Sequence, residues 1–142
     1  MKVLLMSSLF FLASCQMQEP KSLGPVQKED SFFLAPCSTE RVCLSSYEGS
    51  FEKIKPLGSI AESMIAFEKI FKSFDELNIV KKDEKYIYAT YDAGFSGIFD
   101  LELLFEGEEI NIKSQARAKY LTFNKGKKLL NKIVFKYYQR DY

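Results

Sequence analysis

Two alternating runs joined by Gly107-Glu108 leave the middle of this chain little freedom in how it folds. In residues 97–106 and 109–119 apolar and polar side chains take turns, the period of a half-buried strand. A two-residue link with Gly first suits a type II′ hairpin turn, whose first central position needs a positive φ. That turn sets the register: Phe105 faces Ile110, Leu103 faces Ile112, Leu101 faces Ser114 and Phe99 faces Ala116. One side of the pair is thereby committed to a core, because a slip of one residue would turn every side chain over.

The same register loads the other side with charge. Glu102 falls opposite Lys113 and Asp100 opposite Gln115, with Arg117 diagonal to Asp100, so unlike charges meet across the strands. Tyr86 and Tyr88 join them from a preceding strand over residues 85–92. These seven residues form the candidate binding face, read as a polar platform open to solvent. Exposed ion pairs contribute only about 0 to 1 kcal/mol each, so an equally simple reading is an ordinary solvated sheet face.

Gly58-Ser59 followed by Glu62 has the form of a capping box and predicts a helix start. Ile60, Met64, Phe67, Phe71 and Phe74 then recur at helical spacing, with Ile65 and Ile70 widening the stripe, which predicts a core-facing helix over residues 60–76. Leu130, Ile133, Val134 and Tyr137 mark a second helix, about 123–138, and residues 78–81 a short additional strand. The expected fold is α+β, an antiparallel sheet of three to four strands with two helices packed on one face.

Ahead of this domain, Leu12-Ala13-Ser14-Cys15 closes an apolar run that begins after Lys2 and resembles a bacterial lipoprotein signal ending in its acylation cysteine. The run is too short for a transmembrane helix, which wants roughly 20 apolar residues. The resemblance implies a signal peptide over residues 1–14 and a mature chain that starts at Cys15, diacylated on sulfur and acylated again on its amine. It also implies a membrane as partner through that anchor. Gln16 in place of Asp implies the periplasmic side of the outer membrane in an enteric-type cell. Residues 15–34, rich in Gln, Glu, Lys, Pro and Gly, are expected to be a flexible tether reaching roughly 20 to 25 Å, with Ser31-Phe32-Phe33-Leu34 as the first docking point. Residues 35–142 are the single domain.

If Cys15 is acylated, two of the three cysteines remain, Cys37 and Cys43. Outside the cytosol they are expected to form a structural disulfide, whose small loop contributes about 2 kcal/mol. A redox or metal-binding dithiol is the alternative, but the spacing is not C-x-x-C and no further ligand lies nearby. Lys2 is the one charge lost with the signal, so basic and acidic residues balance and nothing steers nucleic acid. The chain has no His, which removes Ser-His and Cys-His nucleophile pairs and the commonest metal ligand. No phosphate-binding or dinucleotide loop occurs, and no cofactor or metal is expected.

From about residue 36 to 138 the chain resembles a bacterial family known only as domain of unknown function 1499. Cys37, Cys43, Leu44, Ser45 and Ser46 resemble its C-x5-C-V-S-S opening, Phe99-Asp100-Leu101-Glu102 its F-x-D-x-E-F strand, and Lys113-Ser114-Gln115-Ala116-Arg117 its R-S-x-S-R. Lys113 stands where the family has Arg and Ala116 where it has Ser, while Thr122 and Asn124 fall near its Asp and Gly. Asn124 suits the left-handed turn that Gly would favour there. The resemblance implies boundaries and register, and no reaction.

Three functions follow as expectations. The first is a non-enzymatic envelope lipoprotein that binds a protein, lipid or glycan through the charged face. The second is an envelope enzyme using Asp100 and Glu102 as an acid and base pair, their Cα atoms roughly 6 to 7 Å apart on one strand. Cations opposite them argue against the raised pKa that an acid needs. The third is a structural scaffold of an envelope complex, with Tyr137, Tyr138 and Tyr142 as a weak apolar surface.

Overall fold

The computed structural model describes residues 19–20, 22–38, 42–118 and 124–139. Its centre is the hairpin predicted from Gly107: β6 (Ile98–Glu106) and β7 (Glu109–Ala116) pair antiparallel in the expected register, from Phe99 opposite Ala116 to Phe105 opposite Ile110. Gly107 carries the positive φ, +60°, that the turn demands.

Around that hairpin lies a sheet of five strands in the order β3-β7-β6-β5-β4, where three or four were expected. β5 (Tyr86–Asp92) and β4 (Leu77–Lys82) occupy the anticipated places. The unforeseen strand is β3 (Cys43–Ser45), three residues long, which pairs Ser45 with Lys113 and Cys43 with Gln115. A strand this short shows no period, which is why it escapes a pattern reading. Ile54 continues that edge by exchanging two backbone hydrogen bonds with Ile110. The other edge, β4, is blunted by Lys81, Lys82 and a register shift between Ile79 and Lys81.

Both helices pack on the same face of this sheet. The capping box starts α1 (Ile60–Lys72) as predicted: Ser59 Oγ accepts the Glu62 N–H at 3.2 Å and Glu62 Oε2 accepts the Ser59 N–H at 2.7 Å. The helix stops four residues short of the expected end, because the Ser73 hydroxyl donates to the Ile70 carbonyl at 2.7 Å and the chain then turns into β4. Ile65, expected in the core, is half exposed, while Met64, Phe67, Ile70 and Phe71 are buried. α2 (Lys125–Tyr138) begins after Asn124, whose φ of 56° is the left-handed turn anticipated for it. Leu129, Leu130, Ile133 and Tyr137 meet Phe67, Leu101, Leu103, Phe105, Ile110 and Ile112 in one core. Tyr137 stacks on Phe67 with ring centroids 4.3 Å apart, and its hydroxyl satisfies the Leu57 N–H and Ser63 Oγ.

Within the stretch expected to be slack tether, the chain forms a second antiparallel sheet, β1 (Pro25–Lys28) against β2 (Ser31–Leu34). This corrects the expectation of a flexible coil, and the site shows why the segment is ordered. The hairpin went unforeseen because Glu29, not Gly, takes its positive φ of 55°. The expected docking of residues 31–34 is realised in Leu34, which is 1% exposed against Tyr86, Tyr88 and Leu104. The sheet is thus covered twice, by helices on one face and by the hairpin on the other.

The packing predicts a sharp contrast within α1. Phe67→Ala should lower the unfolding free energy by about 3–5 kcal/mol, while Ile65→Ala should change it by no more than about 0.5 kcal/mol. Urea unfolding of the two variants checks both, and equal losses would contradict the helix orientation.

Candidate functional site

Strand alternation places Tyr86 and Tyr88 of β5, Asp100 and Glu102 of β6, and Lys113 and Gln115 of β7 on the face opposite the helices, with Arg117 just beyond the end of β7. All seven expected residues come together, but not as an open platform. Asp100, Glu102, Lys113 and Gln115 are completely buried, and the tyrosines nearly so. The cover is the chain's own residues 19–20 and 22–38.

Two charged centres make up the layer. In the first, Lys113 Nζ lies 2.7 Å from Glu102 Oε2 and donates to the carbonyls of Ser22 at 2.7 Å and Ala35 at 2.9 Å. Glu102 Oε1 accepts the Gly24 N–H and the Tyr86 hydroxyl, each at 2.6 Å. An ammonium holding carbonyls beside a carboxylate holding an amide binds main chain, here the stretch on either side of the hairpin. In the second centre, Arg117 grips Asp100 through Nε and Nη2, the shorter contact 2.7 Å, and the Tyr88 hydroxyl donates to Asp100 Oδ1 at 2.7 Å. Glu19 closes this centre from outside, 3.6 Å from Arg117 Nη2 and 3.1 Å from the Tyr88 hydroxyl. Gln115 Oε1, between the two, accepts from Ser22 Oγ at 3.3 Å and the Ser38 N–H at 3.5 Å.

The cover is pinned at its far end. Cys37 and Cys43 form the expected disulfide, with Cα atoms 5.7 Å apart, linking the end of the covering segment to β3. Ser46, quoted above only as part of a motif, accepts the Ile112 N–H at 2.8 Å and donates to Asn111 Oδ1, fastening the chain after β3 onto β7. The residues that sequence reasoning missed are the backbone partners Ser22, Gly24 and Ala35. No side-chain pattern announces a bond made by a peptide group. Cys15 and Thr122 lie outside the described residues, as does Tyr142.

Chemically, the face offers ion pairing and backbone recognition. Asp100 and Glu102 each have a cation and a phenol as partners, and a substrate would have to displace the covering segment to reach them. Among the described residues no group of three or more His, Cys, Asp or Glu is placed to hold a metal. None of the described helices is long and apolar enough to cross a membrane.

A sequence model of the family described as "Protein of unknown function (DUF1499)" matches residues 33–136, a span that runs from the end of β2 to α2 and takes in both disulfide cysteines and all seven residues of the charged face. No curated protein and no solved structure matches the chain.

Burial makes each charge dependent on its partner. Lys113→Met leaves the Glu102 carboxylate unpaired in the interior and strips the Ser22 and Ala35 carbonyls of their donor, so it should cost about 3–5 kcal/mol. It should also open residues 22–35 to protease before the rest of the domain unfolds. Limited proteolysis beside denaturant melts checks the pair of effects, and an unchanged cleavage pattern would contradict the clamp. Burial and then the Glu102 carboxylate push the Tyr86 phenol well above its ordinary value, and burial with the Asp100 hydrogen bond does the same for Tyr88. A phenol whose folded pKa is raised adds stability that is complete below its unfolded pKa of about 10 and lost as pH climbs beyond it. In an alkaline absorbance titration of the eight tyrosines, these two should be among the last to ionise, and Tyr86→Phe should weaken the alkaline loss of stability.

Proposed function

From the premise that the chain belongs to the DUF1499 family, we propose that it is a lipid-anchored, non-enzymatic interaction module of the cell envelope, facing the periplasm or the cell exterior. The observation that carries this reading is the docking of residues 19–20 and 22–35 across the charged face, from Glu19 on Arg117 to Ala35 on Lys113. A chain fastened at Cys15 would have three residues between anchor and Glu19, and the four steps from Cys15 to Glu19 reach at most about 14 Å. The body would then stand against its membrane rather than at the end of a long tether. The charged face, occupied by main chain, supports binding chemistry: it matches amide to carboxylate and carbonyl to ammonium, and does not gather groups around a reacting atom. The missing His supports the same reading, since it removes the usual nucleophile and base partners.

Intact-mass analysis of protein extracted from its native cell should find residues 1–14 absent and Cys15 carrying acyl chains. Cys15→Ser should move the protein from the membrane fraction to the soluble one. Recovery of an unmodified chain beginning at Met1 from the soluble interior of the cell would overturn the proposal.

A further inference from the structure

The covering segment has a direction. Followed back toward the N-terminus, Gly24 meets Glu102, Ser22 meets Gln115, and Glu19 meets Arg117. Since Glu102 pairs with Lys113, the contacts move from the level of residue 113 through 115 to 117, toward one end of the sheet. At that end the Arg117 N–H bonds the Ile98 carbonyl at 2.9 Å, and Ile98 is the first residue of β6, directly after the β5–β6 turn.

That turn is tightly built around an unsupported ring. The Ala93 N–H bonds the Gly97 carbonyl at 2.9 Å, the Gly97 N–H bonds the Gly94 carbonyl at 2.9 Å, and Asp92 Oδ1 accepts the Gly94 N–H at 2.9 Å. Gly94 and Gly97 supply positive φ values of 63° and 79°, and Ser96 is tucked inside at 3% exposure. Between them Phe95 is 109% exposed, the most exposed large apolar side chain among the described residues. A hydrogen-bonded turn that presents a bare phenylalanine invites an apolar surround that the domain does not provide. Other strongly exposed apolar residues on regular elements stand singly: Ile65 and Phe135 on the helices, on the opposite face, and Val80 on the edge strand β4.

We infer that the Phe95 turn is a membrane contact, inserting its ring among lipid headgroups and upper acyl chains beside the anchor. The inference rests on the anchoring at Cys15 proposed above, because the chain leaving Glu19 emerges at the same end of the sheet and reaches no more than about 14 Å before Cys15. One ring binds a bilayer too weakly to act alone. Joined to acyl chains it becomes a second signal, one that fixes orientation where the lipids supply affinity. The turn then sets which end of the sheet faces the bilayer.

The chain has no Trp, so Phe95→Trp installs a single reporter. Full-length protein purified from cells that acylate it would be reconstituted in phosphatidylethanolamine and phosphatidylglycerol vesicles, with and without lipids brominated in the upper acyl chain. The expected result is blue-shifted indole emission that loses most of its intensity to brominated lipid and resists aqueous iodide. In a population whose intact mass confirms acylation, water-like emission open to iodide overturns this inference and leaves the anchoring untouched. An intact mass without acyl chains removes the anchoring and the inference together. A blue shift that needs no vesicles and grows with protein concentration assigns the turn to contact between copies of the chain, which also overturns the inference.

Discussion

A lysine and a glutamate with no access to water set the terms for this structure. Lys113 and Glu102 are both 0% exposed, 2.7 Å apart, and neither ion pays for its lost hydration through the other alone. The remaining bonding capacity is met by peptide groups from residues 22–35 and by the Tyr86 phenol. The N-terminal hairpin is therefore not an accessory laid on a finished domain. Without it, one face of the central sheet would present a row of charges and two tyrosines to solvent, as the sequence alone suggests it does.

The two faces are coupled through the register. Shifting β7 by one residue against β6 would bury Lys113 in the helix-covered core and expose Ile112 to the hairpin, so a single turn at Gly107 decides both the apolar layer and the ionic one. The apolar side supplies the larger share of the driving force, through Phe67, Phe105, Leu130, Ile133 and their neighbours. The ionic side holds peptide groups from both sides of the hairpin: Glu102 accepts the Gly24 N–H, and Lys113 donates to the Ser22 and Ala35 carbonyls. The Cys37–Cys43 bridge limits how far the strand can wander if it detaches, since its C-terminal end stays tied to β3.

What the sequence made legible follows from where the information sits. The β6–β7 register, the α1 cap, the second helix, the Asn124 turn and the disulfide all rest on side-chain identity at fixed spacing, and each is present. So does the roster of the charged face. What stayed hidden rests on the backbone or on context. β3 is too short to carry a period, the β1–β2 turn has Glu29 where Gly would signal it, and Ser22, Gly24 and Ala35 act through peptide groups. Ile65 misled because its spacing fits the stripe while its place on the helix edge leaves it half exposed. The charges themselves were ambiguous: alternation says that Glu102 and Lys113 share a face and cannot say whether water or protein lies above it.

That ambiguity matters for how the protein is used. A solvated tether would decouple the domain from whatever fastens its N-terminus, and its orientation would be random within a radius of tens of ångströms. A docked segment does the reverse. Each contact from Ala35 to Glu19 transmits the position of the preceding residue to the sheet, so the anchor proposed at Cys15 and the face of the domain nearest to it would be fixed together. Pulling on the N-terminus would load the Glu19–Arg117 contact first, then the Ser22 and Gly24 bonds on Gln115, Lys113 and Glu102. These bonds would fail in sequence rather than all at once. An ionic clamp would yield gradually under such a pull, because its attraction falls off less steeply with separation than the contacts of a packed apolar core.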